Sequence, residues 1–313
     1  MRQYLDLVQY VLDRGTRKPN RTGVDTISMF NHNYEIDLRE GFPLLTTKKI
    51  KWEHIVLENL WFLSGDTNIG FLRHYGVRFW DAWADVDGNV PSAYGNFWRH
   101  FPVHGPHSLA LSHPHFGGYV EAAHNDQVTW AIDTLRRDPM SRRVVISAWA
   151  PGNAQTSKLP PCHALFALNV QNEEDGDTRE WVNARLNLHL TQRSCDVALG
   201  VPYNIAGYAF LLELFSRFTG IAPGIFAHTL VDAHVYTAKT DGSMAEYDHV
   251  PGLRKQLTRE PRALPHLIID SSIRTLADVE RIIRERPPLG QILELFQLGD
   301  YDPHPAIAFK VAV

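Results

Sequence analysis

Residues 192–206 read Gln192-Arg193-Ser194-Cys195-Asp196-Val197-Ala198-Leu199-Gly200-Val201-Pro202-Tyr203-Asn204-Ile205-Ala206, and this stretch decides how the chain is organised. It follows residues 184–190, in which apolar and polar side chains alternate at the period of two that predicts a strand. It leads into residues 205–219, which are apolar nearly all round and predict a buried helix that ends at Gly220. Between the two lie a guanidinium, a hydroxyl, a carboxylate and a carboxamide, and this polar turn is the first candidate for a functional site.

A second candidate lies upstream, where the chain reads Leu159-Pro160-Pro161-Cys162-His163-Ala164. The thiolate is the reactive form of cysteine, and a neighbouring cation lowers the pKa of a thiol. Arg193 would supply that charge if a hairpin brings it to Cys162. A cysteine is more often an inert apolar residue, and Cys195, in a strand-like run, is predicted to be packed in that way. Cys162 is therefore the candidate nucleophile.

The rest of the chain alternates between helical and extended patterns. Apolar residues at helical spacing predict helices over 5–12, ending at Gly15, and over 51–63 and 127–137. Runs rich in apolar residues predict strands over 143–149 and 163–170. The acidic connector Asn172 to Arg179 is expected to join 163–170 to 184–190 as an antiparallel hairpin. No linker or repeat divides the chain, so we predict a single α/β (α+β) domain over 1–313.

Composition limits the classes of function. The chain has 313 residues, a net charge of −4 and two cysteines. The slightly negative charge gives no general affinity for nucleic acid, so any anion must be bound by local arginines. Two cysteines do not make a disulfide framework. The N-terminal residues have no apolar signal core and no stretch is apolar enough to span a bilayer, so we expect a cytoplasmic protein without membrane partners.

Residues 102–124 form a histidine-rich segment among Pro, Gly and Ala, and we predict that it is an insertion. It carries His104, His107, His113, His115 and His124. Clustered imidazoles can bind zinc, but the segment has no cysteine and no His-x-x-x-His on a helix. The favoured interpretation is a surface loop without a metal.

Glu58 and several arginines complete the candidate site. Glu58 lies at the edge of an apolar helix stripe, where burial would raise its pKa toward neutrality; the alternative is a solvated helix residue. Four arginines and one serine would together bind a phosphate group, unless each arginine is a solvated surface charge. These residues are Arg21, Arg142, Arg143, Arg193 and Ser194. No Walker-type glycine loop is present, so a nucleoside triphosphate is not indicated.

Nearly end to end, these motifs resemble the folate-dependent, cysteine-using thymidylate synthase family. The matching motifs include Asn20-Arg21-Thr22-Gly23, Gly41-Phe42-Pro43-Leu44-Leu45-Thr46-Thr47-Lys48-Lys49, Leu60-Trp61-Phe62-Leu63-Ser64-Gly65-Asp66-Thr67-Asn68-Ile69, Asp138-Pro139-Met140-Ser141-Arg142-Arg143, Pro161-Cys162-His163-Ala164, Gln192-Arg193-Ser194-Cys195-Asp196, Asp232-Ala233-His234-Val235-Tyr236 and Tyr301-Asp302-Pro303-His304-Pro305. The resemblance implies the family's fold, a mixed, mainly antiparallel central sheet flanked by helices. It also implies a homodimer with shared active sites.

The family's chemistry implies a role for each matching residue. Cys162 would add to carbon 6 of a pyrimidine nucleoside monophosphate, and carbon 5 would then accept a one-carbon unit from 5,10-methylenetetrahydrofolate. The implied catalytic residues are Cys162, Glu58, Tyr94, Arg193 and Asp196. The implied nucleotide ligands are Arg21, Arg142, Arg143, Arg193, Ser194, Asn204, His234, Tyr236 and His163, with Arg142 and Arg143 given across the dimer interface. The implied folate site is Phe79, Trp80, Trp83, Leu159, Asp196, Leu199, Gly200, Tyr203 and Val313.

Several positions depart from the family pattern and leave the product open. The departures are Asn59, Phe79, Ala82, Ala198, Gly207 and Ala233, and Gly207 lies one helical turn from Asn204, where it would loosen that carboxamide. The chain retains Trp80 and Ala312-Val313 of the family pattern, and for this reason the resemblance favours methylation of dUMP. The alternative is a 5-hydroxymethyltransferase acting on dUMP, dCMP or CMP, in which water reaches the intermediate first. An RNA-binding regulator and a catalytically dead homologue are the remaining alternatives.

Overall fold

The computed structural model describes residues 1–102, 124–154, 157–172 and 183–312. Its central sheet is built from β1 (Thr16–Lys18), β2 (Asp25–Asp37), β5 (Val145–Ser147), β6 (His163–Asn172), β7 (Ala184–Gln192), β8 (Cys195–Asp196) and β9 (Ala222–Thr237). Two small strand pairs lie outside it, β3 (Phe101–Pro102) with β4 (His124–Asn125) and β10 (His266–Ile269) with β11 (Phe296–Gly299).

The sheet order is β1-β2-β9-β7-β6-β5, and β8 pairs with β9. All these pairs are antiparallel except β7 with β9 and β8 with β9, which are parallel. The predicted α/β domain with a mixed, mainly antiparallel sheet is confirmed. The predicted hairpin is also present, since Asn172 pairs with Ala184; the connector at 173–182 lies outside the described residues, as do 103–123 of the predicted histidine-rich insertion.

The helices are α1 (Arg2–Arg14), α2 (Trp52–Ser64), α3 (Gly70–His74), α4 (Tyr94–His100), α5 (Gln127–Arg137), α6 (Pro151–Ala154), α7 (Gly200–Thr219), α8 (Val250–Leu257), α9 (Leu276–Glu285) and α10 (Leu289–Leu295). Helices α1, α2, α5 and α7 lie where apolar spacing predicts them. Helix α7 ends at Gly220, whose φ of 78° lies in the left-handed region that glycine adopts without strain.

Two predicted boundaries are wrong. Helix α7 begins at Gly200, five residues before the predicted start, because one oxygen of Asp196 accepts the backbone N–H groups of Ala198 and Leu199 and turns the chain. Pro202 is compatible with this first turn, where its missing N–H needs no partner. The strand predicted over 143–149 is limited to β5 (Val145–Ser147).

The buried face of the sheet packs against α7 and the helices around it. Leu186, Leu188 and Leu190 of β7 are buried, as are Phe226 and Leu230 of β9. Side chains that alternate with these, such as Asn169, Asn187, Ala227 and Val231, are only partly covered. One face of the sheet therefore forms the core and the other remains accessible. In the described part of the chain, no helix combines the length and apolar character needed to cross a membrane.

Close contact between α2 and α4 depends on Gly95. A Cβ added there would lie 2.3 Å from the carbonyl oxygen of Phe62, so only glycine permits this approach. Tyr94, the neighbouring residue, is thereby placed against Phe62, with ring centroids 5.0 Å apart. The same helix, α2, carries Glu58, so this packing brings two predicted catalytic residues to one region.

Candidate active site

The Cys162 thiol lies on the residue just before β6, beside the guanidinium of Arg193. Arg193 Nη2 donates to Cys162 Sγ at 3.6 Å and to the carbonyl oxygen of Pro160 at 2.6 Å, and its Nε donates to that of Pro161 at 2.9 Å. The backbone N–H of Arg193 also donates to the Cys162 carbonyl at 2.8 Å. The two prolines carry no N–H of their own, and their carbonyls hold the cation against the thiol.

Arg193 lowers the pKa of the Cys162 thiol as predicted, but burial raises that pKa by more. Burial raises the pKa of Cys162, while Arg193 and, more weakly, Arg21 lower it. The predicted effect of Arg193 is therefore present, but the net shift of the Cys162 pKa is upward, because desolvation of a thiolate costs more than the guanidiniums recover. Cys162 is nonetheless partly accessible, whereas Cys195 is fully buried and its pKa is raised far more strongly.

Tyr94 and His163 form the wall next to the thiol. The hydroxyl oxygen of Tyr94 accepts the backbone N–H groups of Cys162 at 3.2 Å and His163 at 3.5 Å. The rings of Tyr94 and His163 stack with centroids 4.4 Å apart and planes 6° apart. Burial lowers the pKa of His163 to about 3, offset in part by Asn204, so His163 is neutral at physiological pH. Its Nδ1 is buried without a hydrogen-bond partner.

Glu58 is bonded to the aromatic residue that the sequence places in the folate site. Trp80 Nε1 donates to Glu58 Oε1 at 2.7 Å. Burial raises the pKa of Glu58 to about 7, and the hydrogen bond from Trp80 opposes that shift. The interpretation of Glu58 as a solvated helix residue is therefore wrong. A carboxyl group that titrates near neutrality can both accept and give up a proton under physiological conditions.

Gln192 fixes the carboxamide of Asn204. Gln192 Nε2 donates to the backbone carbonyl of Ser194 at 3.1 Å and to Asn204 Oδ1 at 3.0 Å. A backbone carbonyl can only accept, so the atom of Gln192 that faces it must be the NH2 group. The atom of Asn204 that faces the same NH2 must then be its oxygen. The Nδ2 group of Asn204 is thereby left to donate elsewhere.

Gly207 does not have the loosening effect that the sequence suggests. An added Cβ at Gly207 would lie 3.1 Å from Asn59 Nδ2, a tight contact with that side chain. Asn59 is buried and donates to the Ile55 carbonyl of its own helix at 2.8 Å. The two departures from the family pattern are therefore neighbours. The amide of Asn59 occupies the space beside Gly207, and Asn204 is held by Gln192 instead.

His234 and Tyr236 lie together on β9, with ring centroids 5.3 Å apart. His234 Nδ1 is 3.1 Å from Asp232 Oδ1, and Asp232 also accepts from Ser28 at 3.0 Å and from Lys18. These donors hold the pKa of the Asp232 carboxyl far below its usual range. Asp232 was not among the predicted site residues, although its i, i+2 spacing from His234 along one strand is the signal that would have indicated it.

The residues of the predicted folate wall differ in how far the protein covers them. Asp196 uses Oδ1 for two backbone N–H groups, and Lys48, fully buried, donates to the neighbouring carbonyl of Ala198 at 2.5 Å. Trp80 is buried, whereas 44% of Phe79 is exposed. The partly covered members of the wall are Trp83, Leu159, Leu199, Gly200 and Tyr203. A carboxylate and flat apolar side chains are the groups that would bind a pterin, which offers ring N–H groups and two faces for stacking. Val313 lies outside the described residues.

A cleft lies beside Trp83, which is one member of the predicted wall. It has a volume of about 500 Å³ and is also lined by Asp85, Asn89, Phe97 and Lys158. This volume lies in the range of clefts that hold a drug-sized ligand. His249 lies behind Asp196, 3.9 Å from its Oδ1, and its Nε2 is 2.9 Å from the carbonyl oxygen of Lys310 near the C-terminus.

The predicted phosphate residues are only partly brought together. Arg193 contacts Cys162, and Ser194 follows it in the chain. Arg21 acts electrostatically on both Cys162 and Tyr236, and its guanidinium lies 5.8 Å from the Trp83 ring. Arg142 and Arg143 are exposed on the segment between α5 and β5. Within the described ranges, no group of three or more His, Cys, Asp and Glu side chains is arranged to hold a metal ion.

Comparisons with a family model and with curated proteins agree with each other. A family model described as thymidylate synthase matches residues 2–313. A curated relative, the thymidylate synthase of Haloferax volcanii, is 41% identical in an alignment that covers 98% of this chain and 95% of the relative. The family model spans every element that carries a residue of the site, from the turn that holds Arg21 to the C-terminal segment.

Proposed function

The chain belongs to the thymidylate synthase family, and on that premise we propose that it converts dUMP to dTMP. It is a methyltransferase whose co-substrate is 5,10-methylenetetrahydrofolate, which supplies both the one-carbon unit and the hydride. The observation that carries the choice of dUMP is the fixed carboxamide of Asn204. Held through its oxygen by Gln192, it offers one donor and one acceptor in a set order.

In the proposed reaction, Cys162 Sγ forms a bond to carbon 6 of the uracil ring, and electrons of the 5,6 double bond move to carbon 5. Arg193, 3.6 Å from the sulfur, stabilises the thiolate that attacks. The nucleotide phosphate would be bound by Arg21, Arg193 and Ser194. Glu58, with a pKa of about 7, holds or releases a proton at the pyrimidine during the steps that follow.

Exclusion of water favours a methyl product. Trp80 is buried, and its ring packs edge-on against Trp61 and Phe62 at centroid distances of 5.4 and 5.9 Å. Its indole N–H is committed to Glu58. A rigid indole held in this way keeps solvent from the wall where the folate would bind, which supports reduction of the one-carbon unit over hydration.

We also propose that the active enzyme is a homodimer with shared sites. The accessible face of the sheet carries partly covered apolar residues such as Leu165, Ala227 and Val231, which a second copy would bury. Arg142 and Arg143 are exposed in this chain, so they are free to reach a partner's nucleotide. Several guanidiniums around one phosphate dianion favour such a shared arrangement.

The proposal is tested by incubating the protein with 5,10-methylenetetrahydrofolate and, separately, dUMP, dCMP, UMP and CMP. Products are identified by mass, and oxidation of the folate is followed by the absorbance of dihydrofolate. We expect dTMP together with an equal amount of dihydrofolate. Product without dihydrofolate would show hydroxymethylation, and faster turnover of dCMP or CMP than of dUMP would overturn the assignment of uracil.

A further inference from the structure

The polar contacts of Gln192 continue away from the pyrimidine site, through the sheet, to two residues that no motif indicates. Gln192 Oε1 lies 3.0 Å from Nε2 of His228 on β9. His228 Nδ1 lies 2.7 Å from the hydroxyl of Tyr34 on β2. Asn204, Gln192, His228 and Tyr34 therefore form one continuous chain of hydrogen bonds across β7, β9 and β2.

The direction of every bond in this chain follows from one backbone carbonyl. Because the Ser194 carbonyl requires the NH2 of Gln192, the oxygen of Gln192 must face His228. That oxygen needs a donor, so His228 carries its proton on Nε2. His228 Nδ1 then has a lone pair, which accepts the hydroxyl proton of Tyr34. Burial lowers the pKa of His228 well below its ordinary value, which keeps this neutral form at physiological pH.

Both central members of the chain are removed from solvent. His228 is 1% exposed and Gln192 is 3% exposed. The His228 ring is confined by Tyr34 and Phe226, with centroids 5.3 and 5.4 Å away. A buried polar atom that loses its partner cannot be rescued by bulk water, so each bond strongly disfavours the reversed orientation of its neighbours.

We infer that His228 and Tyr34 are positioning residues that set the choice between uracil and cytosine, although neither belongs to the predicted nucleotide site. Reversal of Asn204 would bring its NH2 against the NH2 of Gln192. Rotation of Gln192 to relieve that clash would bring its oxygen against the Ser194 carbonyl and remove the bond from His228. The donor and acceptor of Asn204 are thus held in one order.

A fixed carboxamide distinguishes the two bases because their edges are opposite. Uracil presents a carbonyl at carbon 4 and an N–H at position 3, whereas cytosine presents an amino group and a ring acceptor. An orientation of the Asn204 carboxamide that forms hydrogen bonds with one base places donor against donor and acceptor against acceptor on the other. This inference rests on the proposed conversion of dUMP for the identity of the favoured base, but the coupling between residue 228 and base choice can be tested for either base.

The test compares His228→Phe, which keeps a ring but lacks a donor, with His228→Gln, whose amide can again donate to Gln192. The measured quantity is the ratio of kcat/KM for dUMP to kcat/KM for dCMP. We expect His228→Phe to reduce this ratio about tenfold, the effect of one misplaced buried hydrogen bond. His228→Gln should restore much of the ratio, and Tyr34→Phe should reduce it less than His228→Phe does.

Two further measurements separate positioning from a general loss of structure. Equilibrium binding of dUMP and dCMP to each variant, without folate, should show the same change in preference. The same substitution at an exposed histidine, His266→Phe on β10, should leave the ratio unchanged. An equal fall of kcat/KM for both nucleotides in His228→Phe, or a His228→Gln variant no better than His228→Phe, would overturn the inference.

Failure of the proposed function gives a different result. If the unmodified protein prefers dCMP, the proposed substrate is wrong, while a shift of its preference in His228→Phe would still support the inference. If it prefers dUMP and the ratio is the same in all His228 and Tyr34 variants, the proposed function stands and the inference falls.

Discussion

Trp80 Nε1 donates a 2.7 Å hydrogen bond to Oε1 of Glu58, and this bond joins the predicted proton-handling carboxyl group to the predicted folate wall. The bond stabilises the ionised carboxylate, whereas burial stabilises the neutral acid. Burial has the larger effect, and the pKa of Glu58 is raised to about 7. The protonation state of Glu58 is therefore sensitive to any change at Trp80.

Trp80→Phe should move the pH dependence of the reaction upward. The substitution removes a hydrogen bond that stabilises the charged form, so the pKa of Glu58 rises further above its ordinary value. We expect the limb of the kcat/KM profile that reflects Glu58 to shift by about one pH unit toward alkaline pH. The profile is measured with dUMP and a saturating concentration of the folate.

Two variants make this shift interpretable. Glu58→Gln should abolish the limb, since it removes the titrating group. Trp83→Phe changes the same wall at a residue that is not bonded to Glu58, so it should raise the KM for folate without moving the midpoint. A Trp80→Phe midpoint that stays near 7 or falls would show that Trp80 does not control the carboxyl group.

Covalent attachment to the pyrimidine should occur at Cys162 and not at Cys195. Cys162 is partly accessible beside Arg193, whereas Cys195 is fully buried and its pKa is raised well above the ordinary value. With 5-fluoro-dUMP and the folate, Cys195→Ala should still form the covalent ternary adduct, and Cys162→Ala should not. Mass spectrometry of the intact protein reads the outcome, and an adduct on Cys162→Ala would refute the assignment.

Asn59 and Gly207 should be energetically coupled. Gly207→Ala alone places a methyl group 3.1 Å from Asn59 Nδ2, and this crowding should cost about 1–3 kcal/mol of unfolding free energy. In an Asn59→Ala background the crowding disappears and alanine's higher helix propensity, worth about 1 kcal/mol, should make Gly207→Ala neutral or stabilising. Urea denaturation of the four proteins gives the coupling energy. Additive effects would mean that the two side chains do not share this space.

Shared active sites should appear as complementation between two inactive proteins. Cys162→Ala lacks the nucleophile, and Arg142→Ala lacks the arginine proposed to serve the partner's phosphate. After mixing and subunit exchange, half of the dimers are mixed, and each has one complete site. We therefore expect recovery of about a quarter of the wild-type rate. No recovery, with exchange demonstrated by native mass spectrometry, would contradict the shared site.

The chain by itself determined the fold class and most of the local elements, because these depend on patterns between near neighbours in the sequence. Alternation of leucines in β7 and the apolar character of α7 each predict an element. The ordered motifs around Cys162 and Arg193 identify the family, since so many cannot coincide by chance. The start of α7 escaped prediction because the carboxylate of Asp196, outside the apolar run, begins the turn.

Tertiary structure alone decided the orientation of Asn204, the pKa of Glu58 and the contact between Asn59 and Gly207. Each depends on residues far apart in the chain, such as His228 of β9 acting on Gln192 of β7. Sequence shows that a carboxamide is present, but its donor and acceptor are ordered by which buried groups lie beside it. Burial and hydrogen-bond direction arise only when the strands pair and the helices pack, and for that reason the sequence left them open.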